Sequence, residues 1–280
     1  MNLWSMEVKM NKKIAIVTGA SSGIGKITAE MLSQQGFYVF AMALESESLR
    51  AMKNDNMEPV AVDATSDEGV KAAVEYVLKQ TERIDLLING ASFGHPGAVE
   101  CLPIPAIQKQ FDVNVFGYAR FIQAVLPAMR AQRGGRIINI SSSAGRMVTP
   151  SFGWYCATKF AVEGFSDALR QEVKQFGVDV VLIEPGVIKT PFLERQAELL
   201  NATYHPKEYE GVVKSLSKVA GEKSLTFPPQ MVAKEIVKAA LKPKPPIRVL
   251  VPRSLNLLLI VKSFVGDRFW DWAIRRSFSL

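Results

Sequence analysis

Residues 18 to 25 read Thr-Gly-Ala-Ser-Ser-Gly-Ile-Gly, directly after the apolar run Ile14-Ala-Ile-Val17 and ahead of a helix-like segment. A strand, a tight glycine turn and a helix N-terminus in that order make a cradle for a dinucleotide pyrophosphate. The first N–H groups of the helix point at the anion and carry the positive end of its dipole. A second signal comes 130 residues after Gly25, in Tyr155-Cys-Ala-Thr-Lys159. It places a phenol and an ammonium four residues apart, on one face of a helix.

The remaining chain alternates apolar, β-branched runs with amphipathic segments. Strands are expected at Lys13–Thr18, Phe37–Ala43, Pro59–Asp63, Ile84–Asn89, Gly135–Ser141, Val178–Glu184 and Arg248–Val251. Helices are expected near Gly23–Gln35, Ser66–Gln80, Ile104–Ala131, Phe152–Gln175 and Pro229–Leu241. Continuous apolar runs such as Val180-Val181-Leu182-Ile183 suit strands covered on both faces. The alternation implies an α/β fold, a Rossmann-type doubly wound parallel sheet with right-handed crossovers. At 280 residues the chain holds one large domain. We place that domain at 12–252, with an N-terminal extension at 1–11 that lacks the apolar stretch of a signal peptide and an apolar and basic extension at 253–280.

Three stretches interrupt the alternation: Phe93–Pro105, Met147–Phe152 and a long insert, Pro191–Phe227. They follow strands four, five and six, where open α/β sheets bind ligands, and are expected to wall a substrate pocket. The candidate lining Phe93, Met147, Val148, Phe152, Phe192, Leu193 and Tyr204 is strongly apolar, which favours a hydrophobic carbonyl compound or alcohol over a sugar or a charged acid.

Composition removes several function classes. The net charge is +7, but the 34 basic residues are dispersed, with no clustered stripe of the kind nucleic-acid binding needs. Two histidines, His95 and His205, and two cysteines, Cys101 and Cys156, form neither a metal-ligand spacing nor a disulfide framework, so no metal is expected and a reducing, cytoplasmic setting is.

The spacing Gly19-x-x-x-Gly23-x-Gly25, followed by Tyr155-x-x-x-Lys159, resembles the short-chain dehydrogenase/reductase superfamily from about Lys12 to about Val251, with closest kinship to its hydroxysteroid, retinol and carbonyl reductases. That resemblance implies an NAD- or NADP-dependent oxidoreductase interconverting a hydrophobic ketone or aldehyde and its alcohol. Gly19, Ser21, Ser22, Gly23, Ile24 and Gly25 would meet the phosphates, and Asp63 the adenine amino group or, alternatively, it would be a helix N-cap neighbour. Asn89 and Ala91 would line the ribose, although Gly90 and Ser92 replace the family's Asn and Gly there. Pro185, Gly186, Ile188 and Thr190 would grip the carboxamide. The catalytic set it implies is Asn114, Ser142, Tyr155 and Lys159. Ser142 lies 13 residues before the tyrosine, ahead of its competitors Ser141 and Ser143. Asn114 would sit where a helix opens to hold a water. A free phenol ionises near pH 10, and Lys159 one turn away, together with the positive ring of an oxidised nicotinamide, is expected to lower that value, making Tyr155 the acid and base.

The family marks its cofactor preference at the end of strand two, where this chain reads Ala43-Leu44-Glu45. Ser46, Ser48 and Arg50 suit a 2′-phosphate while Glu45 and Glu47 oppose it, leaving NADP and NAD both open. Two rival readings stand beside the reductase: a ketoacyl-carrier reductase, and a non-catalytic cofactor-binding scaffold or redox sensor on the same fold. The resemblance also implies a homodimer or homotetramer paired through Ile104–Ala131 and Phe152–Gln175. The tail, with Leu257-Leu-Leu-Ile-Val261 and Phe269, Trp270 and Trp272 among arginines, is too short to span a bilayer. It is expected to pack over the pocket or a subunit interface, with peripheral membrane contact as the alternative.

Overall fold

Strand β1 (Ile14–Thr18) is buried at every position, because helices cover both faces of the sheet it occupies. The computed structural model describes residues 12–214 and 226–278. After β1 the chain runs through α1 (Gly23–Gln34), β2 (Tyr38–Ala43), a short α2 (Glu47–Arg50), β3 (Met57–Ala61), α3 (Asp67–Thr81) and β4 (Leu86–Asn89). It continues through α4 (Ile104–Phe111), α5 (Gly117–Ala131), β5 (Gly135–Ile140), α6 (Gly153–Val173), β6 (Val178–Pro185) and α7 (Pro191–Ala202). It ends in α8 (Pro229–Leu241), β7 (Arg248–Val251), α9 (Leu255–Phe264) and α10 (Asp267–Ser277).

The seven strands form one sheet in the order β3-β2-β1-β4-β5-β6-β7, every pair parallel. On one face Ala29 and Leu32 of α1 and Val232 and Ile236 of α8 pack on Val17, Val39, Ile138 and Val181. On the other, Val74 and Val77 of α3, Phe121 and Val125 of α5 and Val162 of α6 cover Ile14, Ile16, Phe40 and Leu87. Each such side chain taken from water contributes about 1.5–3 kcal/mol. The winding direction reverses between β1 and β4, so the crevice opens at their carboxyl ends, beside Thr18 and Asn89.

Several expected boundaries shift. β3 starts at Met57 and ends at Ala61, which leaves Asp63 in the following loop. Pro59 is tolerated inside it because β3 is an edge strand. The helix expected over 104–131 is broken by a π-helical turn at Asp112–Phe116 between α4 and α5. The stretch expected as a long loop begins instead with α7, whose Pro191 occupies the first turn, where a missing N–H costs nothing. Residues 1–11, expected as an extension, and 215–225 of the expected loop lie outside the described residues. Among the described residues, no helix is long and apolar enough to cross a membrane.

Candidate active site

The cradle is built from backbone. Gly19 (φ +67°) and Gly23 (φ +54°) adopt the left-handed conformation, and Ser22 is the N-cap residue of α1. A Cβ on Gly19 would stand 2.8 Å from the Ala91 nitrogen, and one on Gly25 would run into the Gly19 carbonyl. Thr18, at the end of β1, accepts hydrogen bonds on Oγ1 from the N–H groups of Gly90 (2.9 Å) and Ala91 (3.1 Å), tying the two strand ends together. Overpacking of this kind costs about 1–3 kcal/mol. Gly25→Ala should therefore weaken reduced-cofactor binding at least about tenfold in a fluorescence titration. An affinity within twofold of wild type would contradict it.

A cavity of about 1080 Å³ runs from this cradle to the Tyr155–Lys159 pair. Along it lie Gly19, Ser21, Ser22, Gly23, Ile24 and Gly25, then Asp63 and Ala91, then Ser142, Tyr155 and Lys159, with Pro185, Gly186, Ile188 and Thr190 opposite. Thr190 stands over Gly23, so the loop after β6 meets the cradle directly. A glycine cradle too tight for any Cβ, opening continuously onto a phenol and an ammonium, fits an elongated dinucleotide. Asp63 lines this cavity, and its Oδ1 accepts from the Thr65 N–H (2.9 Å) and hydroxyl (2.8 Å). The cap of α3 is Ser66, which accepts from the Gly69 N–H.

Two expected site residues are buried and off the cavity wall, and one of them, Asn114, sits where the helix opens in its π turn. Asn89 is fully buried and does not reach the cavity wall; its Nδ2 donates to Asn139 Oδ1 at 2.9 Å, bracing β4 against β5. The Asn89 Oδ1 is buried with no hydrogen-bond partner among the described residues. Asn114, in the π turn, is also fully buried and off the cavity wall. It donates to the Phe93 carbonyl (2.8 Å) and the Thr158 hydroxyl (3.0 Å), and accepts from the Phe93 N–H (2.8 Å) and the Ser92 hydroxyl (3.2 Å). Its side chain positions the loop after β4 and the helix that carries Tyr155.

Tyr155 and Lys159 stand on α6, with Lys159 Nζ 5.7 Å from the Tyr155 ring centre and 5.4 Å from that of Tyr118. Lys159 is buried and donates to the Ile140 carbonyl at 2.9 Å. Burial pushes its ammonium down to about 7, against the opposing pull of Glu163. Burial pushes the Tyr155 phenol up, opposed by the Ser142 and Ser92 hydroxyls. The expected lowering rests on Lys159 and an oxidised nicotinamide ring together. Ser142 is itself held by the Ala144 N–H (3.1 Å) and the Pro185 carbonyl (3.3 Å). Ser92 is a site residue the sequence argument passed over; its appearance where the family has glycine was the available signal.

Phe93, Met147, Phe152, Phe192 and Leu193 line the cavity as expected, and the rings of Phe152 and Phe192 flank Tyr155 at 6.3 and 5.9 Å. Val148 and Tyr204 do not. Val148 sits on an exposed turn, and Tyr204, 82% exposed beyond the end of α7, faces solvent. Once Pro191 starts a helix, Leu200, Asn201 and the distant Phe278 supply the wall instead. His95 bonds Thr203 and packs behind this wall, and Cys156 is buried in packing.

At the end of β2, Leu44 lines the cavity mouth, and Glu45 and Arg50 pair with each other at 2.7 Å on the surface. Ser46 caps α2 and Ser48 donates to the Ser21 carbonyl. None of Glu45, Glu47 and Arg50 lines the cavity, so the kcat/KM ratio between NADPH and NADH should stay below roughly 100-fold. A thousandfold preference in either direction would contradict this geometry.

The short chain dehydrogenase family matches residues 13–201. The chain is 36% identical to a 3-ketodihydrosphingosine reductase of Bacteroides thetaiotaomicron, over 97% of this chain and 100% of that protein. It is 32% identical to an NADPH-dependent 3-dehydrocapnine reductase of Ornithobacterium rhinotracheale, over 92% and 95%. A crystal structure of a short-chain dehydrogenase from Streptomyces avermitilis superposes with a TM-score of 0.79 at 29% identity, covering 90% of this chain and 93% of that one. The glycine cradle, the seven-stranded sheet and these matches together make the chain a member of the short-chain dehydrogenase/reductase superfamily, an NAD(P)-dependent oxidoreductase acting on CH–OH and carbonyl groups.

Proposed function

We propose that this enzyme reduces a lipophilic ketone, of the kind a sphingoid ketone represents, with Tyr155 as the proton donor. The observation that carries the reading is the placement of Tyr155, on the same cavity as Ser142 and Lys159, between the apolar rings of Phe152 and Phe192. The names of the two reductase relatives, each a 3-keto or 3-dehydro compound, support it.

When bound, the nicotinamide dinucleotide supplies the hydride; Gly19 to Gly25 hold its phosphates, and Ile188 and Thr190 its carboxamide end. Ser142 donates a hydrogen bond to the substrate carbonyl oxygen and fixes it beside Tyr155. The phenol gives its proton to that oxygen as charge develops there. Lys159, whose ammonium burial pushes down to about 7, then gives a proton to the Tyr155 phenolate and takes one up from solvent, so that each turnover draws one proton from water. Apolar walls exclude water and bind the alkyl chain. Homo-oligomerisation through Ile104–Ala131 and Phe152–Gln175 and peripheral membrane contact by residues 253–280 are proposed beside this reading and do not rest on it.

A ketone series of increasing alkyl length, followed at the reduced-nicotinamide absorbance, tests the substrate class. Each buried methylene contributes about 0.8 kcal/mol, so kcat/KM should rise about threefold to fourfold per added carbon until the cavity is full. A flat series, or a preference for a polyhydroxy ketone, would overturn the lipophilic assignment.

A further inference from the structure

Neither α9 nor α10 contains a fully buried residue, yet the two helices carry some of the most exposed apolar side chains in the described protein. In α9 the less exposed positions 255, 259 and 262 recur at helical spacing and face the body. Leu255 reaches the backbone of Gly186, and Lys262 donates to the Arg146 carbonyl. The opposite stripe is Leu257, Ile260, Val261 and Phe264, spaced i, i+3, i+4 and i+7. Leu257 is 69% and Phe264 85% exposed. This helix therefore turns its apolar ridge outward, the reverse of the packing expected from the sequence.

The next helix repeats the arrangement. The Phe269 and Trp272 rings lie 5.6 Å apart on the outside of α10, and helical spacing puts Arg268, Arg275 and Arg276 on the same side. The Arg276 guanidinium sits 6.0 Å over the Trp272 ring. Trp270, Ala273 and Ile274 are the less exposed positions. Just beyond, Phe278 packs with Leu200 and Phe152 and lines the cavity. The inner contacts of this segment thus meet the cavity lining at Gly186 and through Phe278, while its outer face presents apolar residues edged by cations. Residues 253–278 carry five basic side chains against two acidic ones.

We propose that this outer face docks on an anionic phospholipid bilayer and holds the cavity mouth at the lipid surface, where a lipophilic ketone partitions. Leucine, phenylalanine and tryptophan enter the headgroup boundary while the arginines meet lipid phosphates, the division of labour of an interfacial helix. The positive fringe fits phosphate and opposes a second copy of the same cationic face. Substrate delivery rests on the lipophilic-ketone reading; docking does not.

The test uses the full chain and vesicles of phosphatidylcholine, alone or mixed with phosphatidylglycerol. Co-sedimentation should be at least about tenfold tighter on the anionic vesicles and should fall at high salt. Leu257→Ser/Phe264→Ser and, separately, Arg275→Glu/Arg276→Glu should each weaken it at least about tenfold while keeping wild-type kcat on a short, water-soluble ketone. With a long-chain ketone embedded in the vesicles, both variants should turn over about tenfold more slowly than wild type. Failure of the wild type to bind anionic vesicles, or binding unaffected by either double variant, would overturn docking. So would a variant that splits a larger species into monomers without any change in vesicle binding, since the face would then be a subunit interface. Equal turnover of the embedded ketone by wild type and variants would overturn delivery. Vesicle binding by a wild type that reduces no ketone at all would sustain docking and sink the reductase reading.

Discussion

Tyr155→Phe should yield a folded protein that binds reduced cofactor within a few-fold of wild type and turns over at least about 10²–10⁴ times more slowly. Only the hydroxyl is lost. The ring remains wedged between Phe152 and Phe192, and α6 keeps its packing on the sheet. What disappears is the proton donor. Steady-state kcat, with cofactor Kd from fluorescence quenching, checks both halves. Retention of more than about a tenth of wild-type kcat would remove Tyr155 from proton transfer, because general acid catalysis contributes far more than that.

Lys159→Met should produce an opposite pair of effects, lower activity and higher stability. The ammonium is buried against the Ile140 carbonyl and the rings of Tyr118 and Tyr155, and burial takes it from 10.5 down to about 7. A lysine depressed in the folded state destabilises that state most where it is charged in both folded and unfolded chains, below about pH 7. The penalty is relieved as pH rises toward 10.5, because the folded protein releases its proton while the unfolded chain keeps it. The cofactor-free Lys159→Met protein should therefore be more stable than wild type near neutrality by about 3–5 kcal/mol at most. That advantage should vanish as the pH approaches the ordinary lysine value. Urea unfolding of both proteins across this range measures it. A Lys159→Met protein less stable than wild type at neutral pH would mean that the bond to Ile140 outweighs desolvation. Its turnover should fall with that of Tyr155→Phe, and its cofactor affinity should fall as well, which separates the roles of the two residues.

The parts of this site that were legible in the sequence are those where chemistry forces a residue type. Gly19, Gly23 and Gly25 are needed because the backbone must bend left-handed or come within contact distance of another backbone, and no other residue permits it. Tyr155 and Lys159 are legible because helical spacing alone puts them side by side. The strands buried on both faces declared themselves as unbroken apolar runs, and the largest shift of bounds, two residues at each end, fell on the edge strand β3, less buried and interrupted by Pro59. Side-chain direction was not legible. Asn89 has the composition of a ribose ligand, but its place on a central strand aims it at Asn139. Asn114 has four hydrogen-bond partners within the protein, none of which sequence spacing could reveal. Tyr204 and Val148 were assigned to the pocket from apolarity and loop position, two properties that do not fix which way a loop turns. The Pro191 signal for a helix start was present and overlooked; heeding it would have moved the wall to α7.

The proton-transfer claim is tested most directly in a single turnover. Enzyme loaded with one equivalent of NADPH is mixed with a long-chain 3-ketone, and loss of the reduced-nicotinamide absorbance is followed together with formation of the alcohol. The wild type should consume cofactor and produce alcohol in equal amounts. Tyr155→Phe should bind both molecules and leave the absorbance standing on the same timescale. A wild type that binds both and yields no alcohol, or a Tyr155→Phe protein that matches its rate, would contradict the account.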